Sequence, residues 1–149
     1  MLVGRICNRE VVFVEQESSI AEAARLMREH HVGGLVVTKQ ESGKRVPVGI
    51  VTDRDLVLEV LAEGVEMADI TVGDIMSDQL VTACENDSLL ETIKIMRAKG
   101  IRRLPVIDDD GALAGILTID DLIGLFSEQL ADLARLIAYE QKREKERRK

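Results

Sequence analysis

The chain has no tryptophan, and aromatic residues make up only 2% of its 149 residues. One Tyr and two Phe cannot build the stacking platform on which single-stranded nucleic acid is held, so the interior must be assembled from Val, Ile, Leu, Met and Ala. Cysteine is nearly as scarce. Cys7 and Cys84 form no Cys-x-x-Cys and no Cys/His cluster, which predicts reduced, buried thiols and no metal centre. No apolar run approaches the length that crosses a bilayer and no signal peptide is evident, so no membrane association and a cytoplasmic location are expected. Positive charge is in deficit: 20 Lys and Arg against 27 Asp and Glu leave a net charge of -7, with a pI near 4.9. That argues against a nucleic-acid partner over the body of the protein. Nor is there a Ser/His/Asp or Cys/His arrangement to activate a nucleophile, so no enzyme is expected.

What the chain does have is 46% hydrophobic residues, arranged in two copies of one pattern. Val3 to Val37 superimposes on Val72 to Val106 without a gap, with about ten identities that include Gly4/Gly73, Ser19/Ser88, Glu22/Glu91, Met27/Met96 and Leu35/Leu104, a period of 69 residues. Beyond this the offset falls to 66, because the first copy carries three extra residues in a turn spanning Lys39 to Arg45. Each copy opens with Val-Gly-x-Ile and a short strand, Val11 to Val14 or Leu80 to Ala83. A helix follows in each, capped by Ser18/Ser19 or Asp87/Ser88, with Ser-x-x-Glu as a capping box. Two strands come next, Gly34 to Thr38 and Val46 to Val51, then Leu104 to Ile107 and Leu113 to Leu117. The Asp108-Asp109-Asp110-Gly111 turn of the second pair reads as a hairpin end rather than a metal site. His30 and His31 close the first helix, where a cation suits the helix dipole.

Both copies then carry one motif, Gly49-Ile50-Val51-Thr52-Asp53-Arg54-Asp55 and Gly115-Ile116-Leu117-Thr118-Ile119-Asp120-Asp121. The pattern is strand, Thr N-cap, helix, with Leu56, Val57, Val60 and Leu61 or Leu122, Ile123, Leu125 and Phe126 on the helix. Thr and Asp then share the first turn beside unpaired backbone N–H groups, a place for a polar ligand whose phosphate meets the N–H groups and whose sugar hydroxyls meet the carboxylate. A capping box without a ligand is the alternative, and the repetition favours the ligand. Asp120 and Asp121 point about 100° apart on a helix, so only one faces a given ligand. After the second motif a helix continues, its apolar stripe (Leu130, Leu133, Ala134, Ile137) giving way to a basic tip from Glu140 to Lys149.

The in-register repeat, both Gly-Ile-h-Thr-x-x-Asp motifs, and Ile101-Arg102-Arg103-Leu104-Pro105-Val106 resemble a tandem pair of cystathionine β-synthase (CBS) domains. The resemblance implies an α/β fold of two β-α-β-β-α repeats packed about a pseudo-twofold axis, with an extended C-terminal helix. The boundaries are residues 3–61 for the first repeat, 62–71 for the linker, 72–126 for the second repeat and 127–149 for the charged helix. It also implies a regulatory, non-catalytic module that needs no cofactor, binds AMP, ADP, ATP or S-adenosylmethionine in two clefts, forms a homodimer and acts on a separate protein. One cleft would use Asp55, Thr52, Ile50, Thr92 and Ile101; the other Asp121, Thr118, Ile116, Ala23 and Val32. The family's phosphate-binding pair is Arg102-Arg103 in the second copy but Gly33-Gly34 in the first. Since glycine cannot fork onto phosphate, Arg103 is expected to favour a phosphorylated ligand beside Asp55, with Arg102 directed to the other cleft. The glycines would leave room for a bulkier or less charged ligand, or make a tight turn. A structural module with vestigial clefts is the competing reading.

Overall fold

The computed structural model describes residues 1–77 and 79–148; Asp78 and Lys149, the last residue of the basic tip, lie outside them. The chain forms two units, residues 1–117 and residues 118–149. In the first unit the elements run α1 (Val3–Ile6), β1 (Phe13–Glu15), α2 (Ile20–His30), β2 (Gly34–Glu41), β3 (Lys44–Thr52) and α3 (Asp53–Asp55), which passes into π-helical turns at Leu56–Leu61. A 3-10 turn at Met67–Asp69 leads to α4 (Val72–Ile75), β4 (Ala83–Cys84), α5 (Leu89–Lys99), β5 (Arg103–Ile107) and β6 (Leu113–Thr118), whose last residue caps α6 (Ile119–Arg147) of the second unit. Equivalent helices start 69 residues apart, and the two cap threonines, Thr52 and Thr118, 66 apart.

Two three-stranded sheets result, ordered β1-β2-β3 and β4-β5-β6. In the first, β1 lies parallel to β2, and β2 antiparallel to β3 with an irregularity at Val37/Thr38. The seven-residue turn predicted around Lys39–Arg45 is instead continued pairing: β2 and β3 stay in register to Glu41 and Lys44. Ser42 and Gly43, both at positive φ (53° and 78°), make a two-residue turn, whose mirror-image twist matches that of the strands. In the second hairpin the Asp108 carboxylate accepts from Asp110 N–H and Ala112 N–H (2.9 and 3.0 Å) and so serves the turn, while Asp110 pairs with Lys44 of the first hairpin. Ser19 and Ser88 cap α2 and α5 by accepting the Glu22 and Glu91 N–H groups. Both helices end on a left-handed residue, Gly100 in one and His31 in the other.

The predicted repeat boundaries hide an exchange. The opening segment of each sequence copy packs on the sheet of the other. Val72, fully buried, sits in the first copy's core with Val14, Ile20, Ala23, Met27, Leu35, Val37 and Val51. Gly73 N–H donates to Gln16 and Ser77 N–H to Ile50. In return, Gly4 N–H donates to Glu85, and Asn8 and Ile116 exchange two hydrogen bonds of 2.9 Å each. Contacts that pass from copy one to two and back at the same offset are what a twofold relation requires, so both sheets and both exchanged segments make one interdigitated body. Arg9 bolts it further, pairing with Glu85 and donating to Gly4 O (2.6 Å) and Ala114 O (3.3 Å).

Cys7 rides on the exchanged segment and is buried, its Sγ lying 2.7 Å from where a Cβ on Gly115 would stand. Burial pushes its thiol up, with Arg9 pulling the other way. Cys84 is only half-buried. Iodoacetamide should therefore alkylate Cys84 well before Cys7 in the native protein, with the order read by peptide mass spectrometry.

Candidate functional site

The first motif closes on itself more completely than its sequence predicts. Thr52 Oγ1 accepts the Asp55 N–H at 3.2 Å, and Asp55 Oδ2 accepts the Thr52 N–H at 2.8 Å, a reciprocal capping box. The remaining first-turn donors are also spent: Asp53 N–H on Gly33 O (2.9 Å) and Arg54 N–H on the Asp53 carboxylate (2.8 Å). The expectation of unpaired N–H groups that attract phosphate is thus corrected here. Attraction for an anion has to come from side chains. What the motif still offers is the second oxygen of Asp55, the Thr52 hydroxyl proton, and the short helix that fixes both.

Those groups face a cavity of about 290 Å³, near the lower end of the range for small-molecule sites. Its apolar walls are Ile50 and Ile101 with Leu80 and Val81, and its polar groups are Thr52, Asp55, Ser77, Gln79, Arg102 and Arg103. Each comes from a defined place. β3 delivers Ile50 and Thr52, the turn after α5 delivers Ile101 and Arg102, and β5 begins at Arg103. The exchanged segment supplies Ser77, held by its hydrogen bond to Ile50. Five of the residues expected together from sequence, namely Asp55, Thr52, Ile50, Ile101 and Arg103, are brought together.

Three placements differ from expectation. Arg102 lines this same cavity beside Arg103, not the other one. Thr92 does not line it: the residue is 3% exposed on the inner face of α5, and its hydroxyl donates to Ser88 O at 2.8 Å. Gly34 does not leave room for a larger ligand, because the Arg103 guanidinium occupies the place where a Cβ there would stand. The glycine of one copy is the seat of the other copy's arginine. Gly33 is similarly close to Asp53, whose carboxylate oxygen stands 3.2 Å from where its Cβ would be.

A second groove repeats the first at the offset of 69. Asn8, Glu10, Val11, Val12 and Val32 line it where Ser77, Gln79, Leu80, Val81 and Ile101 line the first, and Phe13, Leu26 and His30 complete it. It carries no arginine and gains a carboxylate, so the two grooves differ in charge. Among the residues expected in the second cleft, Val32 lies here, whereas Ala23 is fully buried in the core. Ile116 is held in β6 by its paired bonds to Asn8. In the second unit Thr118 Oγ1 accepts the Asp121 N–H at 3.2 Å, capping α6, and Asp121 is exposed.

The sequence-level model of the CBS domain matches residues 3–62 and 72–128. An uncharacterized protein of Methanopyrus kandleri, MK0525, is 39% identical over 121 residues, 81% of this chain; the chain spans 60% of that relative's length. The CBS domain-containing protein YhcV of Bacillus subtilis is 37% identical over 76% of either chain. Among solved structures, the CBS domain pair of protein MJ0100, in complex with 5′-methylthioadenosine and S-adenosyl-L-methionine, is similar with a TM-score of 0.73 and 29% identity, covering 87% of this chain and 98% of that one. Two matched segments in a fold of two exchanged repeats leave one assignment: the chain belongs to the CBS domain family, as a tandem pair.

Proposed function

We propose that the chain is a non-catalytic regulatory module that senses an adenosine-containing ligand, and that the Asp55 cavity takes a phosphorylated one, AMP, ADP or ATP. The observation that carries this reading is the convergence of Arg102, Arg103, Asp55 and Thr52 on one apolar-walled cavity. Ile50 and Ile101 offer faces for an adenine ring, the free oxygen of Asp55 an acceptor for ribose hydroxyls, and the two guanidinium groups forks for phosphate oxygens. The likeness to a domain pair in complex with 5′-methylthioadenosine and S-adenosyl-L-methionine supports the ligand class. The arginine-free groove, with Glu10 and His30, suits an adenosine ligand without phosphate, such as S-adenosylmethionine. A ligand that grips side chains of both copies in one cavity favours one relative setting of the copies, which is how occupancy would reach a separate regulated protein.

A thermal-shift panel of adenosine, AMP, ADP, ATP and S-adenosylmethionine tests the reading. A ligand bound only by the folded state at one hundred times its Kd raises stability by about 2.7 kcal/mol, so a clear rise with at least one phosphorylated member is expected. Asp55→Asn separates the two roles of that carboxylate. The amide oxygen can still cap Thr52 N–H, so stability should fall by less than about 1 kcal/mol. Affinity for adenosine and AMP alike should drop by about 1.5–3 kcal/mol as the charge-assisted ribose bonds are lost. Calorimetric titration that finds both unchanged removes Asp55 from the site.

A further inference from the structure

The Asp55 cavity has a direction, and β3 sets it. Ile50 and Thr52 both line the cavity from one face of that strand, two residues and about 7 Å apart. Across the hairpin Thr52 pairs with Gly34 and Ile50 with Val36. Arg103 sits over Gly34, so its guanidinium stands at the Thr52 end. The exchanged segment stands at the other end, where Ser77 N–H donates to Ile50 O at 3.0 Å. A nucleotide gripped by Arg103 at its phosphate and by Asp55 at its ribose therefore carries its base past Ile50 toward Ser77, Gln79, Leu80 and Val81. Leu80 and Val81 extend the apolar wall there, and Gln79, exposed at the mouth, brings a side-chain amide.

That amide differs in kind from the other polar groups of the site. The ionised Asp55 only accepts, Arg102 and Arg103 only donate, and Thr52 and Ser77 each present a single hydroxyl. Among the described lining residues Gln79 alone sets a donor group beside an acceptor. The Watson–Crick edge of adenine is the complement, with N6–H donating beside N1 accepting. We infer that Gln79 reads the base, its amide oxygen accepting from N6–H and its NH2 group donating to N1. The inference rests on the reading of the cavity as a nucleotide site and adds the residue that meets the base. The first copy then holds the ribose, while the second reads the base through a segment that the first copy's β3 positions.

Calorimetric titration of AMP and GMP into the full chain, as wild type, Gln79→Ala and Gln79→Glu, tests it. The two nucleotides share ribose and phosphate, so the ratio of their Kd values isolates the base. Gln79→Ala should weaken AMP by about fivefold or more, as both base contacts are lost. Gln79→Glu puts an acceptor-only group at the same place. Guanine offers it two adjacent donors, N1–H and N2–H, whereas adenine turns the N1 lone pair against it, so the ratio should move toward GMP by roughly tenfold or more. Arg103→Ala, at the phosphate end, should weaken both nucleotides and leave their ratio in place. Since Gln79 is exposed, both of its variants should keep the wild-type melting temperature. AMP binding whose ratio to GMP is unmoved in Gln79→Glu would overturn the base-reading role and leave the nucleotide site standing. A wild type that binds neither nucleotide would remove the site and this inference with it.

Discussion

Arg103→Ala is expected to cost phosphorylated ligands about 1.5–3 kcal/mol, roughly 10- to 150-fold in Kd, while leaving adenosine nearly unaffected. The difference between ligands is the informative quantity, because an alanine that merely disturbed the cavity would weaken all of them. The structure supplies a second route to the same result. Gly34 lies across the body on the first copy, and its missing Cβ is what allows the Arg103 guanidinium to lie where it does. Gly34→Val should displace that guanidinium without removing it, so it should reproduce the loss for AMP and ATP and again spare adenosine. Calorimetric titration of both variants with adenosine and AMP checks this. Equal losses for the two ligands would mean that the arginine does not meet phosphate.

The largest effect on stability is expected at Gly49. A Cβ there would stand 2.6 Å from the Ser77 carbonyl oxygen and 2.7 Å from the Met76 sulfur. The sulfur can move, but the carbonyl belongs to backbone held by the Ser77 N–H bond to Ile50 (3.0 Å). Gly49→Val must push the exchanged segment off β3. Overpacking of this kind costs about 1–3 kcal/mol, and the strained hydrogen bond adds about 1 kcal/mol, so a loss of about 2–4 kcal/mol in urea unfolding is expected. Gly124→Ala is the control. Gly124 lies inside α6 with nothing within 4 Å of its Cβ position, so alanine should stabilise the helix by about 0.5–1 kcal/mol. A Gly49→Val variant as stable as the wild type would contradict the exchanged packing.

The sequence carried the repeat far into the structure. A period of 69 places α1 over α4, α2 over α5 and β2 over β5, and the drop to 66 shows up as the longer first hairpin. Serine and threonine caps were legible because an N-cap is a local matter: Ser19, Ser88, Thr52 and Thr118 each bond the N–H three residues on. The exchange of the opening segments was not legible, since Val-Gly-x-Ile has the same apolar pattern whichever sheet it packs on, and only three-dimensional closeness decides. Two glycines could have hinted at it. Gly49 and Gly115 head the two motifs, and each yields space to the other copy's exchanged segment, Met76-Ser77 or Cys7-Asn8.

At the site, Arg103 lines one cavity with Asp55, and its seat there is Gly34. Half of what reads as an asymmetry, Arg102-Arg103 against Gly33-Gly34, is a complementary contact, Arg103 on Gly34, while Gly33 lies against Asp53. Thr92 and Ala23 occupy equivalent helix positions and face inward at 3% and 0% exposure, because the helix face that repeats along the chain is the core face. The helix after the first motif also escaped prediction in its winding. Ala62 N–H bonds Val57 O and Val65 N–H bonds Val60 O, five residues back, and of the apolar set Leu56, Val57, Val60 and Leu61 only Val60 is fully buried, with Val57 and Leu61 exposed at 51% and 76%. Apolar periodicity alone cannot tell a turn of 3.6 residues from a wider one.

The central claim is that one cavity joins a ribose acceptor from one copy to phosphate forks from the other. Titrating AMP into the wild-type chain while following the calorimetric heat tests it most directly. The expected result is a saturable isotherm whose affinity exceeds that of adenosine and falls to the adenosine level in Arg103→Ala. AMP binding no tighter than adenosine, or no heat from any adenine nucleotide, would contradict it.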